Sequence, residues 1–216
     1  MKIAVLGTGM VGEALGTKLV QLGHQVMMGS RSKHNEKASA WVQASGTLAA
    51  SGTFTEAAEF GELVLNCTAG GASLSALEQA GEGNLAGKIL WDLANPLDFS
   101  RGMPPSLSVS NTDSLGEQIQ RAFPTVRVVK TLNTVNCNLM VDARSLPGDH
   151  TMFVAGNDAE AKATTRELLS QWFGWSEIID LGDISAARAT ESYLHLWLRL
   201  WGALKSPRFN LHIVRK

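Results

Sequence analysis

The stretch Lys2-Ile3-Ala4-Val5-Leu6-Gly7-Thr8-Gly9-Met10-Val11-Gly12 decides the fold of this chain. Its first five residues form a short apolar run, which predicts a buried strand, and the glycines that follow predict a tight turn. Apolar residues then recur at helical spacing up to Gly23, and a second apolar run covers residues 25–29. Strand, glycine turn, helix and strand in this order are typical of a mononucleotide-binding unit.

Each of the three glycines has a physical task in such a unit. Gly7 permits the tight turn out of the strand, Gly9 lets a pyrophosphate approach the backbone, and Gly12 lets helix and strand pack closely. The free N–H groups and the dipole at the start of the helix favour negative charge there. The turn therefore predicts a dinucleotide site.

The end of the second strand indicates which dinucleotide is bound. NAD sites usually place an Asp or Glu at this point, about 20 residues after the glycine turn. This chain has Gly29-Ser30-Arg31 instead, followed by Lys33. Ser30 offers a hydroxyl, Arg31 a flat cation for a 2′-phosphate, and Lys33 a further charge. An ordinary basic loop is the alternative, but the pattern favours NADP(H) over NAD(H).

Apolar runs continue along the chain in alternation with helical patterns. They predict strands at residues 47–50, 62–67, 88–93, 127–132, 151–156 and 176–180. This alternation predicts an α/β fold, a Rossmann doubly wound parallel sheet with a short C-terminal α/β extension. We expect residues 1–140 to form the NADP-binding domain and residues 141–216 an extension and a helix packed on the same sheet. We expect residues 98–110 to be irregular and residues 144–150 to form a loop.

Three predicted strands end in loops of small or amide residues. Ligands in open α/β sheets collect at these carboxyl ends, so the loops are expected to line the nicotinamide half of the cofactor. Simple turn formation by the asparagines is the alternative. The residues at the three ends are Thr68 and Ala69, Asn95 and Pro96, and Asn133 and Thr134.

Composition excludes several other classes of protein. The formal net charge of the 216 residues is −1, which gives no indication of a nucleic-acid partner. Cys67 and Cys137 are far apart and lie in no metal-ligand pattern, so we expect reduced thiols and no metal. No stretch has the roughly 18 uninterrupted apolar residues of a membrane span, and the start does not read as a signal peptide. We therefore expect a cytoplasmic protein without membrane contact.

No clear acid–base pair is visible. Glu191 lies one helical turn before His195, but we assign this pair no catalytic role. The last helix carries an apolar face that suits packing on the sheet, a homodimer seam, or a wall for a flat ring. An alcohol or imine reductase usually needs a proton donor beside the hydride, whereas hydride transfer between two cofactors needs mainly positioning.

These motifs together resemble the NADP-dependent coenzyme F420 oxidoreductase family. The similar segments are the glycine turn, Leu22-Gly23-His24, Gly29-Ser30-Arg31 and Lys130-Thr131-Leu132-Asn133-Thr134-Val135. The chain is also similar to the cytosolic part of the six-transmembrane (STEAP-type) metalloreductases, in which NADPH reduces a flavin. Residues 193–202 share in that second resemblance.

The resemblance implies NADP(H) held by Thr8, Gly9, Met10 and Val11 of the turn at the pyrophosphate and by Ser30 and Arg31 at the 2′-phosphate. It also implies Thr68, Asn95 and Thr134 near the nicotinamide, and F420 or FMN/FAD as the second redox partner. No motif distinguishes these acceptors. Two alternatives remain: an imine or ketone reductase of the pyrroline-5-carboxylate reductase type, and an NADP(H)-binding sensor without catalysis.

Overall fold

Alternating side chains of the first strand pack on opposite faces of the sheet. Ile3 and Val5 belong to one hydrophobic core, whereas Ala4 and Leu6 belong to a second core on the other face. Both faces are therefore covered by helices, which explains why the strand reads as an unbroken apolar run. The computed structural model describes all residues, 1–216.

The chain forms ten strands and ten α-helices. The strands are β1 (Lys2–Leu6), β2 (Gln25–Ser30), β3 (Ala49–Thr53), β4 (Leu63–Asn66), β5 (Ile89–Asp92), β6 (Leu97–Asp98), β7 (Ser106–Leu107), β8 (Arg127–Thr131), β9 (Thr151–Ala155) and β10 (Glu177–Asp180). The helices are α1 (Met10–Gln21), α2 (Glu36–Ser45), α3 (Phe54–Phe60), α4 (Ser73–Ala80), α5 (Glu82–Leu85), α6 (Leu115–Ala122), α7 (Cys137–Val141), α8 (Ala159–Phe173), α9 (Ala187–Ser192) and α10 (Leu194–Leu204).

Eight strands form one sheet in the order β10-β9-β8-β5-β4-β1-β2-β3. Helices α1, α2 and α8 contribute to the core on one face, and α3, α4 and α6 to the core on the other. The strand order reverses between β1 and β4, which is the topological switch point of a doubly wound sheet. The predicted α/β fold is thus confirmed.

One strand pair departs from the predicted parallel sheet. Strand β9 runs antiparallel to β8, with Lys130 opposite Ala155 and Thr131 opposite Val154. A parallel return needs a crossover that carries the chain back along one face of the sheet, usually as a long helix. The connection between β8 and β9 contains only α7 and the 3₁₀ turn Ala143–Ser145. The chain therefore enters β9 at the same end of the sheet at which it left β8, the carboxyl end of the parallel strands.

Smaller differences from the predictions have local causes. Strand β3 covers residues 49–53 rather than 47–50, and it ends where Thr53 begins α3 with a capping box to Glu56. The segment predicted as irregular contains the short hairpin of β6 and β7. Helix α7 was not predicted, although Asn136 caps it by accepting hydrogen bonds from Asn138 N and Leu139 N.

The segment after residue 140 completes the sheet and then leaves it. Strands β9 and β10 join the same sheet as β1–β5, while α9 and α10 follow β10. Leu194 is buried, but Leu196, Trp201 and Leu204 on α10 are exposed. Trp197 is half-buried and stacks on Phe209, with ring centroids 5.5 Å apart, so the apolar face of α10 is partly covered within the chain. The domain boundary at residue 140 stays a prediction. None of the helices has the length and apolar character that a membrane crossing requires.

A buried indole provides a test of the core. Trp91 is 0% exposed, and its Nε1 donates to Thr165 Oγ1 at 2.8 Å. We expect Thr165→Val to lower the free energy of unfolding by about 1–3 kcal/mol, because a buried N–H loses its acceptor. Urea denaturation measures this change.

The matched control is Thr17→Val. Thr17 Oγ1 accepts from Trp41 Nε1 at 3.1 Å, and Thr17 is also helical but only half-buried. Water can replace this acceptor, so we expect a smaller loss. Equal losses in the two variants would contradict our account of the Trp91 hydrogen bond.

Candidate functional site

A cleft of about 740 Å³ opens at the switch point of the sheet. It lies between the loops that follow β1 and β4 and reaches the end of β2. Ligands of open α/β sheets bind in this place. The lining residues are Gly7, Thr8, Gly9, Ser30, Arg31, Ser32, Asn35, Phe54, Cys67, Thr68, Ala69, Ala72, Ser75, Ala76 and Gln79.

The glycine turn is shaped by close backbone packing. Gly7 has φ +120°, and a Cβ there would lie 2.6 Å from the carbonyl oxygen of Cys67. A Cβ on Gly12 would lie 2.2 Å from the carbonyl oxygen of Gly7. A Cβ on Gly9, by contrast, would meet no atom within 4 Å, so the middle of the turn is open.

Helix α1 starts at this open turn without a side-chain cap. Gly9 is its N-cap residue, and no side chain accepts a hydrogen bond from the first turn. The first N–H groups of a helix have no intrahelical acceptor. The uncapped amides and the helix dipole therefore suit an anion at Gly9. Met10, at 78% exposure, lines neighbouring grooves rather than this cleft, and Val11 is partly buried.

The end of β2 brings one free cation to the cleft. Arg31 is exposed and lines it beside Ser30, whose hydroxyl donates to the carbonyl oxygen of Ser32 at 2.6 Å. Lys33 lies outside the lining, and its Nζ contacts Glu56 Oε1 at 2.8 Å. The hydrogen bond from Lys33 and that from Thr53 N lower the pKa of Glu56 to about 2. Of the two cations predicted here, only Arg31 lies in the cleft lining.

The structure brings the three predicted strand-end loops together. Asn95 Nδ2 donates to the carbonyl oxygen of Asn133 at 2.9 Å, and Asn133 Nδ2 donates back to Asn95 Oδ1 at 3.0 Å. A Cβ on Gly70 would lie 2.1 Å from the carbonyl oxygen of Asn95. The loops after β4, β5 and β8 are therefore in direct contact. Of their predicted site residues, Thr68 and Ala69 line the cleft, and the others lie outside its lining.

The loop after β8 has two unusual features. Leu132 has φ +61°, a left-handed conformation that costs energy for a residue with a Cβ atom. Thr134 is only 3% exposed, and its hydroxyl has no hydrogen-bond partner. Such an unpartnered buried hydroxyl is uncommon and leaves a donor available at the sheet edge. Pro96, at the neighbouring strand end, is buried and its carbonyl oxygen accepts from Ser108 N.

The cleft contains no side chain placed for acid–base chemistry. Among its lining residues the only neutral titratable group is Cys67, and burial, together with the negative charge of Asp92, raises the pKa of its thiol. The Glu191 carboxylate is bound to Lys130 and to two amides of α6, whereas His195 is exposed on α10. Glu191 and His195 therefore form no ion pair.

Several residues of the cleft lining could not be recognised as site residues from the sequence pattern. Ser75, Ala76 and Gln79 come from α4, and Phe54 opens α3. They belong to ordinary helical patterns and reach the cleft only because both helices begin at the carboxyl edge of the sheet. The spacing of Ser75 and Gln79, four residues apart, is the one available signal, since it places them on the same helix face.

Comparison with known proteins gives the family of this chain. Residues 2–96 match the model of the family described as NADP oxidoreductase, coenzyme F420-dependent. The F420-dependent NADP reductase of Methanocaldococcus jannaschii is 30% identical over 222 residues, which cover 99% of this chain and 98% of that relative. The chain belongs to the F420-dependent NADP oxidoreductase family. Membership in this family supports NADP-linked oxidoreduction.

Two further similarities extend this result. A crystal structure from Arthrobacter sp. FB24, provisionally named as an F420-dependent NADP reductase, is 51% identical with a TM-score of 0.94 and covers 100% of both chains. Metalloreductase STEAP3 of Rattus norvegicus is 30% identical over 206 residues. Those residues cover 95% of this chain but only 38% of STEAP3.

More distant structures share the fold alone. A reductive aminase from Aspergillus terreus is 19% identical with a TM-score of 0.67, and the match covers 94% of this chain and 62% of the aminase. Family members and these distant enzymes thus share the doubly wound sheet, whereas the identity of the F420-dependent relatives extends along the whole chain.

The packing of the glycine turn makes a testable prediction. We expect Gly12→Ala to destabilise the protein by about 1–3 kcal/mol, because its Cβ collides with backbone rather than with a movable side chain. Gly9→Ala is the matched control, since its Cβ points into open space and should change stability by no more than about 0.5 kcal/mol. Urea denaturation of both variants measures the difference, and an equal loss would show that the turn relaxes around the added methyl.

Proposed function

We propose that this protein transfers hydride between NADP(H) and coenzyme F420. The observation that carries the proposal is the cleft at the switch point, where the uncapped start of α1 and the free Arg31 lie in one lining. Together they suit the two phosphate-bearing parts of NADP(H): the pyrophosphate, which all dinucleotide cofactors share, and the 2′-phosphate, which distinguishes NADP(H) from NAD(H). Family membership supports both the nicotinamide cofactor and F420.

We place the pyrophosphate at Gly7, Thr8, Gly9 and the first amides of α1. Gly9 fits this role because nothing in the chain fills the space above it. We place the 2′-phosphate at Ser30 and Arg31, with Arg31 supplying the charge. Lys33, engaged by Glu56, is then a neighbour of the phosphate site and not its main cation.

The nicotinamide half is proposed to lie at the three joined loops. Thr68 and Ala69 line the cleft at the end of β4, and the Asn95–Asn133 amide pair holds the next two strand ends beside them. The unpartnered hydroxyl of Thr134 fits a polar group such as the nicotinamide carboxamide. These residues would fix the ring without entering the reaction.

The proposed reaction does not require an acid or base from the protein. Hydride passes between C4 of the nicotinamide and the deazaflavin ring of F420, and the ring's accompanying proton exchanges with water. The protein's contribution is to hold the two rings at reacting distance and orientation. The absence of an acid–base pair from the cleft lining agrees with this kind of transfer. F420 is the acceptor named by the family; no comparison favours FMN or FAD.

The first test is stopped-flow absorbance with purified protein and NADPH, offering F420, FMN and FAD in turn. We expect NADPH oxidation matched to loss of F420 absorbance, with little reaction of either flavin. Tight NADPH binding without oxidation would contradict the proposal and favour a sensor. Turnover of a cyclic imine or ketone without added F420 would favour the imine or ketone reductase alternative.

The second test concerns the 2′-phosphate. We expect Arg31→Ala to weaken NADPH binding by about 1.5–3 kcal/mol, roughly 10- to 150-fold in Kd, because a charge-assisted contact is lost. NADH, which lacks that phosphate, should bind as to the unaltered protein. Fluorescence titration with both cofactors measures the two affinities.

Lys33→Met is the control for Arg31. Because Lys33 lies outside the cleft lining, we expect its loss to weaken NADPH binding far less than the loss of Arg31. Equal weakening of NADPH and NADH by Arg31→Ala would show that Arg31 does not contact the 2′-phosphate.

A further inference from the structure

Lys130 is a fully buried cation inside the sheet. Its side chain is 0% exposed, and Nζ lies 2.9 Å from Asp92 Oδ2 and 2.8 Å from Glu191 Oε1. Nζ also donates to the carbonyl oxygen of Ala94, so each of its three N–H groups has an acceptor. Burial alone would lower the pKa of Lys130, but the two carboxylates outweigh it and raise that pKa. Lys130 therefore stays charged at any physiological pH.

Lys130 ends a row of polar residues that crosses three adjacent strands. Asn66 on β4, Asp92 on β5 and Lys130 on β8 are register neighbours. Asn66 Nδ2 donates to Asp92 Oδ1 at 2.8 Å, and Asn66 Oδ1 accepts from the hydroxyl of Thr68 at 2.6 Å. The row thus leads from Lys130 to Thr68 in the cleft wall.

Glu191 extends the same network to the C-terminal helices. Its carboxylate accepts from Leu115 N at 2.9 Å and from Gly116 N at 3.0 Å. These are the first-turn amides of α6, so the helix dipole compensates the second buried carboxylate. Glu191 lies near the end of α9, and α10 begins three residues later. One ammonium group therefore joins the strand-end loops to the segment that carries α10.

We propose that Lys130 is a positioning residue for hydride transfer, acting through Asp92 and Glu191. It holds the loops at Thr68 and Ala94 at a fixed distance from α9 and thereby fixes the place of the nicotinamide ring. The proposal rests on the proposed function, because it assumes that these loops hold the nicotinamide. It assigns Lys130 no contact with cofactor or reacting atoms.

The charged centre of the network is not bonded to the groups proposed to bind the phosphates; only Thr68, at its far end, packs beside the glycine turn. The glycine turn and Arg31 make no hydrogen bond to Asp92, Lys130 or Glu191. Loosening the network should therefore leave the affinity for NADPH unchanged while the ring becomes less well held. Reactions between two bound rings are sensitive to such displacements, since a shift of about 1 Å can cost about 100-fold in rate.

The decisive variant is Glu191→Gln, which keeps the size of the side chain but removes its charge. We expect an unchanged Kd for NADPH, and single-turnover hydride transfer to F420 that is about 10- to 100-fold slower. Bound NADPH should also lose part of its fluorescence enhancement, because a less constrained nicotinamide emits more weakly. This second readout needs only NADPH and no acceptor.

The matched control is Arg188→Met. Arg188 also ties α9 to α6, since its Nε donates to Glu117 Oε2 at 2.8 Å, but it does not contact the buried network. We expect the control to transfer hydride at the unaltered rate. If both variants slow the transfer equally, or if Glu191→Gln changes neither the rate nor the emission, the positioning role is overturned.

Two further comparisons keep the outcome clear. If Glu191→Gln fails to fold, Asn66→Ser serves instead, because it loosens the other end of the row. We expect this variant, too, to transfer hydride more slowly with an unchanged Kd for NADPH. An unaltered rate and emission in Asn66→Ser would overturn the proposal. If the unaltered protein binds NADPH but does not react with F420, the proposed function fails, whereas the emission of bound NADPH in the two variants still decides the role of Lys130. If it does not bind NADPH, both proposals fail.

Discussion

The close approach of β1, α1 and β4 is the constraint on which the rest of the site depends. At Gly7 and Gly12 the backbones come so near to one another that a single methyl group would displace them. This packing sets the direction in which α1 leaves the sheet, and with it the direction of the free amides at its start. The same contact places Thr68 beside the turn, so that the anion site and the β4 loop form one cleft.

Polar groups buried near the carboxyl edge perform the corresponding task on the other side of the cleft. The apolar interior of a doubly wound sheet gives few directional contacts, whereas a desolvated ion pair tolerates little displacement. The row through Asp92 and Lys130, and the amide pair of Asn95 and Asn133, supply those contacts where the strands end. The fold thus combines tight backbone packing at the glycine turn with directional polar contacts at the strand-end loops.

Much of this arrangement could be predicted from the sequence. The features that could not be predicted depend on contacts between distant parts of the chain. The glycine turn, the doubly wound sheet and the meeting of the strand-end loops follow from local patterns and from the topology of parallel sheets. The ion pair between Glu191 and Lys130 could not be predicted, because the two residues are far apart in the chain and each lies in an ordinary helix or strand pattern. The antiparallel β9 was missed because the direction of a strand depends on the path of the connection before it, and α7 in that connection was not predicted. A signal was nevertheless present: Asp92 and Lys130 are charged residues inside otherwise apolar strands, and such residues require partners.

The pairing of Lys33 with Glu56 has a consequence for the ionic conditions in which the protein works. It leaves Arg31 as the one cationic side chain in the cleft lining, and Arg31 is exposed. An exposed charge is screened over about 8 Å at physiological ionic strength. Any preference that Arg31 gives to a ligand with an additional phosphate therefore declines as salt concentration rises, while the hydrogen-bonding amides of α1 are affected less. Selectivity for the additional phosphate and overall affinity are thus separate quantities in this cleft, and dissolved salt acts mainly on the selectivity.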